Sequence, residues 1–245
     1  MQLIHAKKVT VGGAPALKPA RQVDSSEPII VVGPGPKYVS RAGLKLEAAL
    51  ASFTIDPTGM TCLDAGSSTG GFTDCLLQSG AARVVAVDVG TGQLHHRLRK
   101  NPQVEVREQT DIRSITRESF APEPVSDTGF DLVVADLSFI STRRLLSQLA
   151  PLVAPDGNAI TLIKPQFEAG RRDVSRGKGI ITDPEIWVRV VHDFIDEAAA
   201  VGLPVIDLAL SPVKGGKGNV EFLALHQRAD TPLGQAGETY LERDE

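Results

Sequence analysis

The chain has 245 residues, 42% of them hydrophobic, which is enough for one domain with a full core plus a small appendage. Its net charge of −4 excludes a protein that coats nucleic acid through bulk positive charge, while a local basic groove stays open. No apolar run reaches the ~18 residues of a membrane span, and Cys62 and Cys75 belong to no CxxC or Cys/His cluster, so the expectation is a soluble, cytoplasmic protein with inert thiols and no metal.

In chain order, residues 1–32 read as a fragment: a helix end over 2–8, a turn at Gly12-Gly13 and a short strand at Ile29-Ile-Val-Val. Alone it is too small to bury a core. Two prolines and two glycines make 33–37 a linker. Ser40 is predicted to cap a helix that runs to about Phe53. Leu46, Ala49, Leu50 and Phe53 give that helix a buried stripe, and Arg41 and Lys45 share another face.

From Thr61 onward strands and helices alternate. Strands are predicted at 61–65, 83–88, 104–108, 131–136, 158–163, 204–210 and 219–225. Helices are predicted at 71–79, 92–99, 141–152 and 184–201, the last with Trp187, Val190, Val191 and Phe194 at core spacing. This is an α/β pattern, a mostly parallel seven-stranded sheet covered on both faces and closed by an antiparallel terminal hairpin. Residues 229–245 read as a polar tail. Ligands of such sheets bind beyond the carboxyl ends of the strands, so the loops after Asp64, Asp88, Asp111 and Asp136 are expected to converge.

The most informative stretch is Thr61-Cys-Leu-Asp-Ala-Gly-Ser-Ser-Thr-Gly-Gly-Phe72, a strand, a glycine turn and a helix start. Glycines allow close backbone approach, and the helix end beyond them offers unpaired N–H groups. A dinucleotide turn wants G-x-G-x-x-G, whereas this one has Gly66-x-x-x-Gly70 with an acid two places earlier. Asp64 there repels a pyrophosphate and attracts the cationic side of an amino-acid-like cofactor. Asp88, ending the next strand, is placed to accept from ribose hydroxyls. Together they favour S-adenosylmethionine over NAD, against the blander reading of an ordinary glycine turn.

The fourth strand ends in Asp136 and the fifth in Lys164, where a partly buried ammonium needs a partner. Glu221 is the one acid of the last strand, and Lys45 can complete a four-residue ring. Such a site has tunable protonation. A neutral Lys164 could accept the proton of a substrate hydroxyl that attacks a methyl group, Asp136 and Glu221 would orient it, and Lys45 would stabilise the developing oxyanion. A purely structural Asp136–Lys164 ion pair is the competing reading.

Five stretches carry a family resemblance: Ser40-Arg-Ala-Gly-Leu-Lys-Leu, Asp64-Ala-Gly-Ser-Ser-Thr-Gly-Gly-Phe-Thr-Asp, Val87-Asp-Val-Gly-Thr-Gly-Gln-Leu, Asp136-Leu-Ser-Phe-Ile and Ile163-Lys-Pro-Gln-Phe-Glu. Over about residues 37–226 the chain resembles the TlyA family, hemolysin-named ribosomal RNA methyltransferases related to the FtsJ/RrmJ enzymes. The resemblance implies a Rossmann-like class I methyltransferase domain over 38–228. It moves methyl from S-adenosylmethionine to a ribose 2′-hydroxyl, that of cytidine, in ribosomal RNA or ribosomal subunits. It also implies a catalytic tetrad of Lys45, Asp136, Lys164 and Glu221. Cofactor contacts carry over to Asp64, Gly66, Ser67, Ser68, Thr69, Gly70, Gly71 and Phe72, to Asp88 and Val89 for the ribose, to Asp111 for the adenine amine, and to Asp136. TlyA-like proteins begin with an S4-type RNA-binding domain, and residues 1–32 look like its latter half, a partial S4-like segment. A non-catalytic RNA-binding or ribosome-assembly factor on the same fold, or a hemolysin-like membrane-active protein, are the rival readings.

The RNA-facing candidates are Arg41, Arg143, Arg144, Arg171, Arg172, Arg176, Lys178, Lys214 and Lys217. Several fall in a long Gly/Arg loop over 165–182, suited to clamping phosphates, which position RNA without reading sequence. With eight Phe, two Tyr and one Trp, aromatic base stacking has little to draw on.

Overall fold

Seven strands form one sheet: β4 (Thr61–Ala65), β5 (Arg83–Val87), β6 (Val104–Arg107), β7 (Phe130–Ala135), β8 (Val153–Ile163), β9 (Val205–Leu210) and β10 (Phe222–Gln227). The computed structural model describes residues 1–33, 35–120, 125–138 and 140–229; residues 230–245 of the expected tail, and Phe139, lie outside them. Two compact units are present, Met1–Lys37 and Tyr38–Glu245. In the first, β1 (Val9–Val11) pairs with β2 (Ala14–Pro15) and β3 (Ile29–Val31), after the single turn α1 (Gln2–His5). Its core is Val9, Val11 and Ala16.

The strand order of the large sheet is β6-β5-β4-β7-β8-β10-β9. Pairings from β6 to β8 are parallel, and β10 runs antiparallel to both neighbours. The terminal hairpin therefore forms as expected, with β10 inserted inside the sheet and β9 on the edge. The order reverses between β4 and β7, so the connections after them lead to opposite sides of the sheet and leave a crevice at the carboxyl ends.

Alternate side chains feed two cores, the reason these strands stay buried on both faces. Cys62, Val84, Leu132 and Leu162 face α2 (Ala42–Phe53) and α3 (Gly71–Gln78), whose Leu46, Phe53, Phe72 and Leu76 fill that side. Leu63, Val85, Val133 and Ile163 pack on the opposite side with Phe194 of α9 (Pro184–Ala200). Asp183 caps α9, its carboxylate accepting from Glu185 N.

Four expectations need correction. Arg41, not Ser40, is the N-cap of α2, and Ser40 contributes its carbonyl to Gly43 N instead. The helix predicted over 92–99 shrinks to α4 (His96–Arg99), because Glu108 draws the N–H groups of Gly92, Gln93 and Leu94 into a loop. That predicted over 141–152 breaks into α6 (Leu146–Leu149) between two 3₁₀ turns, with Pro151 in the second. The loop predicted over 165–182 holds two short helices, α7 (Pro165–Glu168) and α8 (Arg171–Arg176), the first opened by a proline at its first position. The remaining short helix is α5 (Val125–Thr128).

Gly70 stands at φ +94°, and a Cβ there would press on the buried Leu94 and Leu98 side chains. Gly70→Ala is therefore expected to cost about 1–3 kcal/mol. Gly216→Ala, with open space around it, should stay within about 0.5 kcal/mol of the parent. Urea unfolding of the two variants checks this.

Candidate active site

The turn between β4 and α3 has an unusual cap. Gly70 occupies the N-cap position of α3 and has no side chain to satisfy the first turn. Asp64, at the end of β4 and fully buried, supplies the missing acceptor: its Oδ2 receives Thr73 N at 2.9 Å and Thr73 Oγ1 at 2.6 Å. Its Oδ1 has no hydrogen-bond partner among the described residues. Burial pushes the Asp64 carboxyl up to about 7 against the pull of the Thr73 bonds, with the negative charges of Asp136 and Asp88 adding to the rise. Gly66, at φ +84°, lets β4 and the loop after β7 touch; a Cβ there would lie 2.9 Å from Leu137 Cδ2 and 3.4 Å from Asp136 O.

Two cavities flank this turn. Asp64, Ser67, Thr69, Gly71 and Phe72 line one of about 120 Å³. Asp88, Val89 and Asp111 line another of about 400 Å³. Gly66, Ser68 and Asp136 line both. The four strand-end loops thus converge. Gly70 lies beside these cavities, against Leu94 and Leu98.

Asp88 is fixed by backbone donors, Ser68 N to Oδ2 at 2.8 Å and Gly90 N to Oδ1 at 2.7 Å. Each oxygen keeps lone-pair capacity for a ligand hydroxyl. The hydrogen bonds of Arg113 hold the Asp111 carboxyl down near 2, so it faces the cavity as a carboxylate. Gln93 also lines this cavity, its Oε1 accepting from Ser68 Oγ at 3.3 Å. Sequence reasoning missed it because 92–99 read as helix, where a polar residue signals only exposure.

Beyond Asp136 lies a third cavity, of about 580 Å³. Lys45, from α2, Asp136, just past β7, Lys164, just past β8, and Glu221, just before β10, all line it. Lys164 Nζ lies 2.5 Å from Asp136 Oδ1 and donates to Leu137 O at 2.8 Å. Lys45 Nζ lies 3.3 Å from Asp136 Oδ2 and 2.7 Å from Glu221 Oε2. The four therefore form an open chain, Lys164–Asp136–Lys45–Glu221, rather than the expected ring. Glu221 precedes its strand instead of lying on it. Gln166, which the sequence did not single out, donates to Glu221 Oε1 at 3.2 Å. Lys45, Lys164 and Glu221 are buried, which only mutual pairing makes tolerable.

Arg41, Lys214 and Lys217 line the rim of this third cavity. Arg171, Arg172, Arg176 and Lys178 are exposed on and just after α8 but do not line it. Arg144 is exposed, whereas Arg143 is engaged by Asp193 at 3.4 Å and Glu168 at 4.0 Å. Glu168, also overlooked, ties two loops: it accepts from Ser141 Oγ at 2.5 Å and Thr142 N at 2.7 Å.

The raised pKa of Asp64 sets a pH dependence. An unfolded chain loses this proton near 4, the folded one near 7, so the contribution of Asp64 to stability falls as pH rises through that window. Asp111 and Glu108, both lowered to about 2, act oppositely and weaken the fold only as pH falls below about 4. Asp64→Asn keeps an acceptor for Thr73 and removes the first effect alone. Thermal melts from about pH 4 to 8 should show the parent losing stability relative to this variant as pH rises.

Residues 38–228 match the model of the FtsJ-like methyltransferases. The chain is 43% identical over 238 residues to the 16S/23S rRNA (cytidine-2'-O)-methyltransferase TlyA of Mycobacterium tuberculosis, covering 96% of this chain and 86% of that protein. It is 41% identical to Hemolysin A of Brachyspira hyodysenteriae, over 91% of this chain and 90% of that one. A solved Streptococcus thermophilus structure, a hemolysin candidate, superposes with a TM-score of 0.79 at 36% identity, covering 99% of this chain and 90% of that one. Among the described residues no helix is long and apolar enough to cross a membrane. The chain belongs to the FtsJ-like methyltransferase family, in its TlyA branch.

Proposed function

We infer that this S-adenosylmethionine-dependent methyltransferase acts on a ribose 2′-hydroxyl of ribosomal RNA, that of a cytidine, in the cytoplasm. The observation that carries the reading is the Lys164–Asp136–Lys45–Glu221 chain, seated where the turn cavity meets a wider, basic-rimmed one. The name of the 43% identical TlyA supports both the reaction and the nucleotide.

The donor's residues fit a cationic amino-acid-like nucleoside. The unpartnered Oδ1 of buried Asp64 awaits a donor or cation, Asp88 suits ribose hydroxyls, and Asp111 suits an exocyclic amine. When bound, S-adenosylmethionine supplies an electrophilic methyl group on a positively charged sulfur. Asp136 Oδ1 and Leu137 O fix Lys164 Nζ, whose neutral form takes the proton of the attacking hydroxyl. Lys45, held between Asp136 and Glu221, keeps its positive charge beside the oxygen as that oxygen gains negative charge. Gln166 steadies Glu221. Arg41, Lys214 and Lys217 at the rim, with Arg171, Arg172, Arg176 and Lys178 beyond it, hold phosphates and align the strand without reading it. The unit Met1–Lys37, as a partial S4-like segment, adds a further RNA contact surface.

Two measurements test this reading. Lys164→Met should lower methyl transfer to ribosomal subunits by about 10²- to 10⁴-fold while S-adenosylhomocysteine binds as before; undiminished transfer overturns it. A cation beside Asp64 favours the carboxylate, so binding of the methyl donor at pH 7 should release a proton. Titration calorimetry in two buffers of different ionisation enthalpy reads that release, and Asp64→Asn should abolish it.

A further inference from the structure

Of all residues lining the three cavities around the crevice, two line every one of them, Asp136 and Ser138. Asp136 already has its lysines. Ser138 is exposed, so its hydroxyl is open to whatever enters, and it lies 3.5 Å from Lys164 Nζ. Among the described residues the other polar contacts of that nitrogen are Asp136 Oδ1 at 2.5 Å and Leu137 O at 2.8 Å, both acceptors, with the Phe167 ring 5.7 Å away.

An ammonium has three N–H donors and a neutral amine has two, with a lone pair in the third direction. Leu137 O takes one N–H of the neutral amine, and Asp136 Oδ1, an ion-pair contact without hydrogen-bond alignment, can only accept and so offers the lone pair nothing. The lone pair is then left for the third neighbour, Ser138 Oγ, the one group of the three that can donate. The 3.5 Å separation is long for a hydrogen bond, as catalytic contacts often are before substrate binds, and closing it takes a shift of about 0.6 Å.

We propose that Ser138 is a further catalytic residue, a hydroxyl relay between the attacking ribose oxygen and Lys164. This rests on the reading of Lys164 as the base. The ribose 2′-oxygen forms a bond to the methyl carbon, and the sulfur–carbon bond breaks with its electron pair left on sulfur, which becomes a neutral thioether. The 2′-hydroxyl proton passes to Ser138 Oγ as the Ser138 proton passes to Lys164 Nζ. Lysine ends as an ammonium, paired with Asp136 and hydrogen-bonded to Leu137 O by the same contacts, and the positive charge lost at sulfur reappears there. Water removes that proton before the next turnover.

Single-turnover methylation of ribosomal subunits, with enzyme in excess, tests the relay in Ser138→Ala, Ser138→Thr and Lys164→Met. Ser138→Ala should slow the step at least tenfold, leave S-adenosylhomocysteine affinity within twofold by calorimetry, and change the dependence of rate on deuterium content from curved, for two protons in flight, to straight. Ser138→Thr, which keeps a hydroxyl, should recover most of the lost rate and the curvature. The relay is overturned if Ser138→Ala is within threefold of the parent, if its loss tracks weaker S-adenosylhomocysteine binding, or if the deuterium dependence is unaltered. Lys164→Met separates the two ideas: if it too retains the parent rate, the base assignment fails; if it alone is inactive, only the relay does.

Discussion

One carboxylate serves two lysines. Asp136 presents Oδ1 to Lys164 and Oδ2 to Lys45, and Glu221 takes the remaining side of Lys45. Two lysines and two carboxylates pair with one another, which is what allows three of them to be buried at the end of an otherwise apolar sheet. Removing any single member leaves an unmatched charge, a loss of about 3–5 kcal/mol for a buried pair. Such a cluster is a poor way to gain stability, since apolar packing would do as well. The cluster stands at the crevice between β4 and β7, where the proposed reaction would use it as a proton acceptor beside a fixed positive charge.

The sheet topology puts it there. The strand order reverses between β4 and β7, and the close approach at Gly66 brings the glycine turn against Asp136 and Leu137. The cavities on the two sides therefore share Asp136 and Ser138 in their lining. Asp64 works from the same turn in two directions: Oδ2 replaces the cap that Gly70 cannot provide, while Oδ1 is left unsatisfied. A glycine at the N-cap is required by φ and by the Leu94 and Leu98 side chains pressing on it. The helix end would otherwise be uncapped, so the acid is structural, and its burial lifts its pKa to about 7 even though the capping bonds pull it down.

How much of this the sequence carries depends on whether a feature is local. β4, β5 and β7 were legible because buried parallel strands are apolar without interruption. The tetrad residues were legible because a charge at the end of such a strand has few explanations. What failed was decided by distant partners. Glu108 unwinds 92–95 from the far side of a loop, and Asp64 caps α3 across nine residues. Nothing in the neighbourhood of Gln93, Gln166 or Glu168 marks them as contacts of Ser68, Glu221 or Thr142. The open chain in place of a ring had the same origin: sequence placed four charges together, but which oxygen meets which nitrogen is set by the backbone of β8, β10 and α2.

The two sides of the crevice are built differently. The donor side rests on α3, whose Phe72, Cys75 and Leu76 sit in the sheet's first core, and on backbone donors to Asp88. The acceptor side rests on short pieces: α7, α8 and the 3₁₀ turn Gly216–Gly218, none of them long enough to hold itself by helix propensity. Side-chain ties compensate. Glu168 of α7 accepts from Ser141 and Thr142 and so joins the segment after Asp136 to the turn that carries Lys164. Asn219 performs the same service at the other rim, accepting from Ile181 N and donating to the carbonyls of Gly179 and Gly216. A rigid donor pocket beside an acceptor pocket fastened at a few points suits a small, invariant cofactor on one side and a large polyanion on the other. Arg41, Lys214 and Lys217 line the second of these pockets, where the proposed RNA substrate would meet them.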